Sequence, residues 1–212
     1  SAMVGGIVMN NASGMCCGVH ANSYRVLKSV RIILPDGTLL DTGDKKSRAA
    51  FAMSHAGFLR KIEELRDRTR RNATLCDLIR KKYSIKNVTG LTILPFVEYD
   101  DPFDIIAHLM VGSEGTLAFL SSITVSTADI QPYSASDLLL FPTTKSACEA
   151  ITEMKRTGML SAAEFFDRKA MQTVEKDFPE LQGLPADAGA VLVRIDAKTE
   201  EELMEKERVL QG

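Results

Sequence analysis

The chain has 212 residues, enough for one large or two small domains, and 45% of them are hydrophobic, as expected for a protein with a buried core. The formal net charge of −2 excludes a general electrostatic attraction to nucleic acid, and no apolar run reaches the roughly 18 residues of a membrane-spanning helix. The four cysteines (Cys16, Cys17, Cys76 and Cys148) have no metal-ligand spacing. We therefore predict no metal site and reduced thiols, as in a cytoplasmic protein.

A β-hairpin is predicted in the first fifth of the chain. Residues 26–34 are rich in β-branched side chains, and Pro35-Asp36-Gly37 is a strong turn signal. Residues 38–41 then run back beside the first strand.

Helices are predicted over residues 47–83. Phe58, Ile62 and Leu65 recur at i, i+4 and i+7 with charged residues on the opposite face. After a break near Asn72, the apolar face continues with Leu75, Leu78 and Ile79.

The same region is basic. Residues 60–82 contain nine basic and four acidic side chains, a local net charge of +5. This is the one feature that suggests a nucleic acid or an anionic membrane as partner. Aromatic residues and recognition motifs are nearly absent, so a solvated helix face or a guide for anionic substrates explains the charge better. An anion-binding module remains an alternative function.

A shorter helix is predicted to start at Asp101, which can cap it, with Pro102 in the first turn. Gly112 is suited to end this helix, and residues 117–125 are typical of a buried strand. The apolar face of the helix consists of Ile105, Ile106, Leu109 and Met110.

A domain boundary is predicted at residues 129–136, where Gln131-Pro132-Tyr133-Ser134 interrupts the pattern. Strands at 137–141, 162–166 and 190–195 then alternate with helices at 145–157, 168–176 and 200–210. Alternation of this length predicts an α+β sandwich of the split βαβ type.

Two glycine-rich segments are the strongest indication of a binding site. One contains Gly5, Gly6, Asn11 and Gly14, and the other is the sequence GSEGTL at residues 112–117. Glycine tolerates positive φ and leaves room for a bound group, so such segments can present backbone amides to a ligand. Either segment alone could be an ordinary turn.

Together these motifs resemble the FAD-linked oxidoreductases of the vanillyl-alcohol-oxidase type, in particular the D-lactate dehydrogenase, glycolate oxidase and D-2-hydroxyglutarate dehydrogenase flavoproteins. The hairpin sequence LPDGTLLDT at 34–42, the K-N-x-T-G stretch at 86–90 with Thr89, and Glu164-Phe165-Phe166-Asp167 support the resemblance. It implies an α+β fold. Residues 4–128 would be the second subdomain of a PCMH-type FAD-binding domain, an antiparallel sheet flanked by helices, with a helical insertion at 45–85. Residues 137–212 would begin a ferredoxin-like cap, and residues 1–3 are an expression scar.

The resemblance also implies which residues contact FAD. Glu114 would bond to local backbone or ribose, while Lys86 would either offset anionic charge near the cofactor or be a solvated loop lysine. Ala118 and Leu91 depart from the family pattern, which usually has glycine and an aromatic residue there. The residues with implied cofactor contact are Gly5, Gly6, Asn10, Asn11, Gly14, Lys86, Asn87, Gly90, Gly112, Ser113, Glu114, Gly115 and Thr116.

The activity implied by the resemblance is oxidation of a D-2-hydroxy acid to the 2-oxo acid by hydride transfer to FAD, with a quinone or another acceptor taking the electrons. No catalytic base is identified, because the resemblance places the family's histidines beyond Gly212. His20 could approach the flavin edge but is more typical of a loop residue, and His55 and His108 are typical of structural helix positions. The chain is expected to be an internal fragment with an incomplete FAD site, inactive alone and prone to self-association, from a cytoplasmic enzyme or one peripheral to the inner membrane.

Iron–sulfur clusters occur in some larger relatives, and none is expected in this chain. Two further same-fold alternatives are an alkyl-glycerone-phosphate synthase and a cell-wall-precursor reductase.

Overall fold

A computed structural model describes residues 2–88 and 90–211 of the chain. Ser1 of the expected expression scar and Thr89 of the K-N-x-T-G stretch lie outside the described residues. The chain divides into two compact units, with the boundary between Ala128 and Asp129.

The first unit contains a small antiparallel sheet with helices packed on it. Its strands have the order β2-β1-β3, and Ile32 of the central strand pairs with Leu40 on one side and Leu120 on the other. The elements in chain order are α1 (Val4–Met9), α2 (Ser23–Val26), β1 (Leu27–Ile33), β2 (Leu39–Asp41), α3 (Lys45–Ser54), α4 (Ala56–Arg70), α5 (Ala73–Lys82), α6 (Pro95–Glu98), α7 (Pro102–Leu109) and β3 (Phe119–Val125).

Local sequence signals explain where several elements begin and end. The predicted hairpin is confirmed, with Gly37 at φ 85° and the Thr38 amide donating to Asp36 Oδ1 at 2.9 Å. The break between α4 and α5 is also confirmed, because Asn72 caps α5 by accepting from the Leu75 amide. Asp101 caps α7 as predicted.

The predicted apolar faces of α4 and α5 are partly wrong. Leu59 and Ile62 are the buried residues of α4, whereas Phe58 is 40% exposed, and Leu65 is also exposed. In α5 the buried residues are Cys76 and Ile79, and Leu78 is 60% exposed. Spacings of i+3 and i+4 allow either of two adjacent faces to be apolar, and packing of α4 against α6 and α7 selects the one that contains Leu59. The predicted apolar face of α4 consists of Phe58, Ile62 and Leu65. The observed buried face consists of Leu59 and Ile62.

Strand β3 was predicted to be buried, and this is also wrong for most of its length. Leu120 is its buried residue, while Phe119 is 67% exposed. The reason is its position at the edge of the sheet, where only one neighbour, β1, pairs with it.

The second unit has the predicted split βαβ topology. Its strand order is β4-β6-β5 with antiparallel neighbours, so β4 and β5 are parallel with β6 inserted between them. The elements are β4 (Tyr133–Phe141), α8 (Thr144–Arg156), β5 (Leu160–Asp167), α9 (Arg168–Gln172), β6 (Gly189–Ala197) and α10 (Glu200–Gln211). Strand β4 begins inside the expected linker because Tyr133 already pairs with Ala197.

Helix α8 covers one face of this second sheet. Ala147 of the helix packs with Val191 and Val193 of β6, and all three are buried. Helix α9 is shorter than predicted and ends at Gln172 rather than at residue 176. Among residues 2–88 and 90–211, no helix combines the length and the apolar character needed to cross a bilayer.

Candidate cofactor site

The first glycine-rich segment is helical at its start, not an open turn. Gly5 and Gly6 lie within α1, and Gly5 faces the Leu120 carbonyl, which a Cβ added there would meet at 3.8 Å. Each glycine costs a helix roughly 1 kcal/mol relative to alanine, so burial of Val8 in the core must offset this cost. The helix ends at Met9 with Asn10 as its C-cap, and Asn11 turns the chain with φ 50°.

The two glycine-rich segments touch each other through their backbones. The Gly112 amide donates to the Val8 carbonyl at 3.3 Å, and the Glu114 amide donates to the Met9 carbonyl at 2.9 Å. The Glu114 side chain is exposed, and its predicted bond to local backbone or ribose stays a prediction. The structure thus brings together segments that are about a hundred residues apart in sequence.

The K-N-x-T-G stretch at 86–90 contacts the first of the two glycine-rich segments. These three segments together are here called the cofactor cluster. Asn11 Nδ2 donates to the Asn87 carbonyl at 3.3 Å. Lys86 Nζ donates to the Ser13 carbonyl at 3.1 Å and to the Gly14 carbonyl at 3.5 Å. Lys86 is exposed, as for a solvated loop lysine, and these bonds hold it beside the first glycine-rich segment. A role in offsetting anionic charge near the cofactor stays a prediction.

Gly112 is required where two of these segments meet. Its φ is 80°, and an added Cβ would lie 2.6 Å from the Gly90 carbonyl oxygen. Gly115 also has positive φ, and the non-glycine residue Glu114 adopts φ 54° between them. Backbone of this kind is strained for residues with a side chain and is often found at functional sites.

Three other glycines face open space. A Cβ added at Gly6, Gly14 or Gly90 would meet no heavy atom within 4 Å. Thr116 and Asn10 are exposed, and the Thr116 hydroxyl closes the local turn by donating to the Ser113 carbonyl at 2.6 Å.

The cluster contains buried polar atoms without partners. Among the described residues, such atoms are Asn11 Oδ1, Ser13 Oγ, Ser113 Oγ and Arg168 Nη1, and the first three belong to the two glycine-rich segments. An unsatisfied buried polar group costs about 1–3 kcal/mol, so it calls for an explanation. A polar ligand beside glycines with open space in front of them would satisfy these atoms, and FAD carries hydrogen-bonding groups on its flavin ring, ribityl chain, pyrophosphate and adenosine. The residues present therefore fit FAD.

A shallow pocket beside this cluster adds residues that sequence reasoning missed. Asn11, Asn87 and Gly90 line it together with Tyr24 and Arg25. Ser13 was missed as well, although a small polar residue in a glycine-rich segment was a usable signal. Tyr24 and Arg25 gave no local signal.

The Glu98 carboxylate holds the side chains of both Tyr24 and Arg25. The Tyr24 hydroxyl donates to Glu98 Oε2 at 3.0 Å, and Arg25 Nη1 donates to the same oxygen at 2.9 Å. Burial, and then the nearby Glu98 charge, raise the pKa of Tyr24 far above its usual range. Tyr24 therefore remains protonated and acts as a hydrogen-bond donor.

His55 and His108 have the structural roles expected for them. His108 is buried, its Nδ1 lies 2.8 Å from the Asp104 carbonyl, and its Nε2 lies 2.9 Å from the Tyr99 hydroxyl. Because a carbonyl can only accept, the proton is on Nδ1 and Tyr99 donates to Nε2. Burial lowers the pKa of His108, which favours the neutral ring. The ring of His55 stacks on Phe51 at 4.3 Å.

Asp167, the last residue of the E-F-x-D motif, has a structural role in the second unit. Its side chain accepts from the Ala170 amide at 2.7 Å and so caps α9. Within residues 2–88 and 90–211, no group of three or more His, Cys, Asp or Glu side chains could hold a metal ion.

Comparisons with known proteins match both units. The model of the FAD binding domain family matches residues 1–43, and that of the FAD linked oxidase C-terminal domain matches residues 130–211. A D-lactate dehydrogenase of Archaeoglobus fulgidus is 23% identical over 176 residues, which are 83% of this chain and 28% of that protein.

Solved structures give the same fold. Alkyldihydroxyacetonephosphate synthase matches in two crystal forms, with TM-scores of 0.59 and 0.57 and 12% identity. The matches cover 98% of this chain and 30% and 32% of the synthase chains. The chain thus spans less than a third of the length of these relatives, and at this identity the structural matches show the fold alone.

Proposed function

We propose that the chain forms part of an FAD-dependent oxidoreductase that converts a D-2-hydroxy acid to the 2-oxo acid, because models of two FAD-linked domain families match residues 1–43 and 130–211. The observation that carries this proposal is the similarity to a D-lactate dehydrogenase over 176 residues, a length that reaches into both units. D-lactate, glycolate and D-2-hydroxyglutarate are the candidate substrates. We propose a quinone or another acceptor as the partner that receives the electrons.

The side chains that would hold FAD are those with unpartnered buried atoms. Asn11 Oδ1 would accept a hydrogen bond from the cofactor, and the hydroxyls of Ser13 and Ser113 could donate or accept one. Lys86 would keep the segment near Ser13 in place, since it is bonded to two of its carbonyls. When bound, FAD supplies the acceptor for the hydride that leaves the hydroxyl-bearing carbon of the substrate.

The substrate side of the reaction needs further groups. His108 is buried in the core and bonded on both ring nitrogens, so it is not free to remove the hydroxyl proton. We therefore propose that the base belongs to another part of the enzyme that contains this chain, and we expect the 212-residue chain alone to be inactive.

The first test is a titration of FAD into the purified chain, followed by flavin fluorescence and the visible absorption band. We expect saturable binding that is weakened about fivefold by each of Ser13→Ala and Ser113→Ala, as for loss of one hydrogen bond worth about 1 kcal/mol. Ser47→Ala is the matched control, because its hydroxyl is already bonded to the Asp41 amide and lies outside the cluster. Equal FAD affinity in all variants would contradict the assigned contacts.

The second test addresses the reaction. The full natural polypeptide that contains this chain would be assayed for reduction of an artificial redox dye with D-lactate, glycolate or D-2-hydroxyglutarate. We expect one of the three to reduce the dye. FAD binding without any dye reduction would contradict the hydroxy-acid assignment and would direct the next assay to an acylated dihydroxyacetone phosphate.

A further inference from the structure

Charge is distributed unevenly between the helices α3–α5 and the remainder of the chain. Residues 45–82, here called the basic helices, contain twelve basic and four acidic side chains, a net charge of +8. Since the whole chain has a net charge of −2, the remainder has −10. A separation of this size is an electrostatic signal for an anionic partner at the basic helices.

Part of this basic charge is used to hold the fold together. Arg70 donates to the carbonyls of Phe96 and Tyr99 at 3.0 and 2.7 Å, and Arg66 donates to the Asp100 carbonyl. The basic residues of these helices that form ion pairs are Arg48, Arg60, Arg66, Arg70 and Arg80.

The other seven basic side chains have no such role. All are exposed, and within the described part of the chain none has a carboxylate within 4 Å. They are Lys45, Lys46, Lys61, Arg68, Arg71, Lys81 and Lys82. These seven exposed cations, distributed along residues 45–82, can bind an anionic surface without first breaking internal ion pairs.

Exposed aliphatic side chains accompany the free cations. Leu78 is 60% exposed and lies three and four residues before Lys81 and Lys82, which places all three on one face of α5. Met53 of α3 is 87% exposed. Free lysines beside exposed aliphatic residues fit a lipid surface, where headgroups bind the cations and the apolar side chains enter the interface. A nucleic acid offers no comparable place for Leu78 and Met53.

We propose that the basic helices are a binding surface for anionic phospholipid bilayers. Lys81 and Lys82 contact headgroup phosphates, and Leu78 inserts at the level of the glycerol backbone. This surface is independent of the proposed reaction, because none of its residues belongs to the cofactor cluster.

The experiment is co-sedimentation of the chain with vesicles. We expect binding to vesicles of equal parts phosphatidylglycerol and phosphatidylcholine, none to phosphatidylcholine alone, and loss of binding as salt rises from about 0.05 to about 0.5 M. Lys81→Gln with Lys82→Gln should weaken partitioning about 30-fold, since each lysine near an anionic surface contributes about 1 kcal/mol. Leu78→Ser should weaken it about fivefold.

Matched controls make the result specific. Lys155→Gln with Lys169→Gln removes the same charge from exposed positions of the second unit and should leave partitioning unchanged. Circular dichroism confirms that each variant is folded.

The proposal is overturned if the wild-type chain fails to bind the anionic vesicles, or if the control pair weakens binding as much as the pair on α5. It is also overturned if the chain binds duplex DNA as tightly as it binds the vesicles, and Leu78→Ser changes neither the affinity for DNA nor the affinity for vesicles. That pattern would identify a general polyanion site.

Discussion

Thr42 and Ser113 are both buried hydroxyl residues of the first unit, and they differ in what surrounds them. Thr42 Oγ1 accepts from the Val30 amide at 3.0 Å and lies 3.3 Å from the Val30 carbonyl, to which it donates. Ser113 is 1% exposed, and its hydroxyl has no partner. A buried hydroxyl without a partner raises the free energy of the folded state. We therefore infer that the region around Ser113, and not the region around Thr42, binds a ligand.

The other buried polar side chains resemble Thr42. His108 is bonded on both ring nitrogens, and Thr92 accepts from the Leu94 amide at 3.1 Å. The core of the first unit therefore satisfies its polar groups, and the cofactor cluster does not.

The largest expected effect tests whether the segments of the cofactor cluster are in contact. Gly112→Ala should lower the free energy of unfolding by about 3 kcal/mol or more, because the new Cβ adds positive-φ strain and overlaps the Gly90 carbonyl. Gly90→Ala is the matched control. It has φ 79° but open space around it, so it should cost only about 1 kcal/mol. Urea unfolding measures both, and equal losses would show that the segments do not touch.

The next effect tests whether the satisfied core depends on a neutral histidine. Burial lowers the pKa of His108 below 6.5, so the unfolded chain binds the proton more readily than the folded chain. The contribution of His108 to the free energy of unfolding is therefore fully present above about pH 6.5. It declines as the pH falls below that value, by at most about 1.4 kcal/mol per pH unit. Urea unfolding between about pH 7.5 and 5.5 measures this slope.

Two variants make the assignment of this slope specific. His108→Gln can still accept from Tyr99 and donate to the Asp104 carbonyl, so it should retain the fold and flatten the slope. His20→Gln, at an exposed loop position, should keep the slope. A slope that survives His108→Gln would assign the pH dependence to other groups.

The smallest effect compares the two hydroxyls directly, and its sign matters more than its size. Thr42→Val should destabilise the chain by about 1 kcal/mol, since it removes a satisfied hydrogen-bonding group. Ser113→Ala should instead stabilise the cofactor-free chain by up to about 1 kcal/mol while weakening FAD binding. Thermal unfolding with and without FAD separates the two effects. Destabilisation of the cofactor-free chain by Ser113→Ala would mean that its hydroxyl already has a partner in solution.

The elements predicted well from the sequence are those fixed by local chemistry. The turn at Pro35-Asp36-Gly37 and the cap at Asp101 depend on neighbours within four residues, and both are found as predicted. The side of α4 that becomes buried depends on α6 and α7, which are distant in sequence, so Phe58 was misassigned. The helical conformation of Gly5 and Gly6 was not predicted for the same reason, because burial of Val8 stabilises a helix that two glycines disfavour.

The candidate site shows the same limit. Resemblance to a family identified the glycine-rich segments and the stretch at 86–90, which the structure places together. It could not identify Arg25, because the position of this side chain depends on Glu98, 73 residues away. Which hydroxyls lack partners is likewise a property of the assembled backbone.

Arg70 gives helix α4 a significance beyond its charge. Its guanidinium holds the Phe96 and Tyr99 carbonyls and the Asp100 carboxylate, and this short stretch includes Glu98, which orders Tyr24 and Arg25 beside the cofactor cluster. Helix α4 thus supports the stretch that carries Glu98. Removal of helices α3–α5 would leave these carbonyls without their partner, so trimming or grafting the helices would require redesign of residues 96–100.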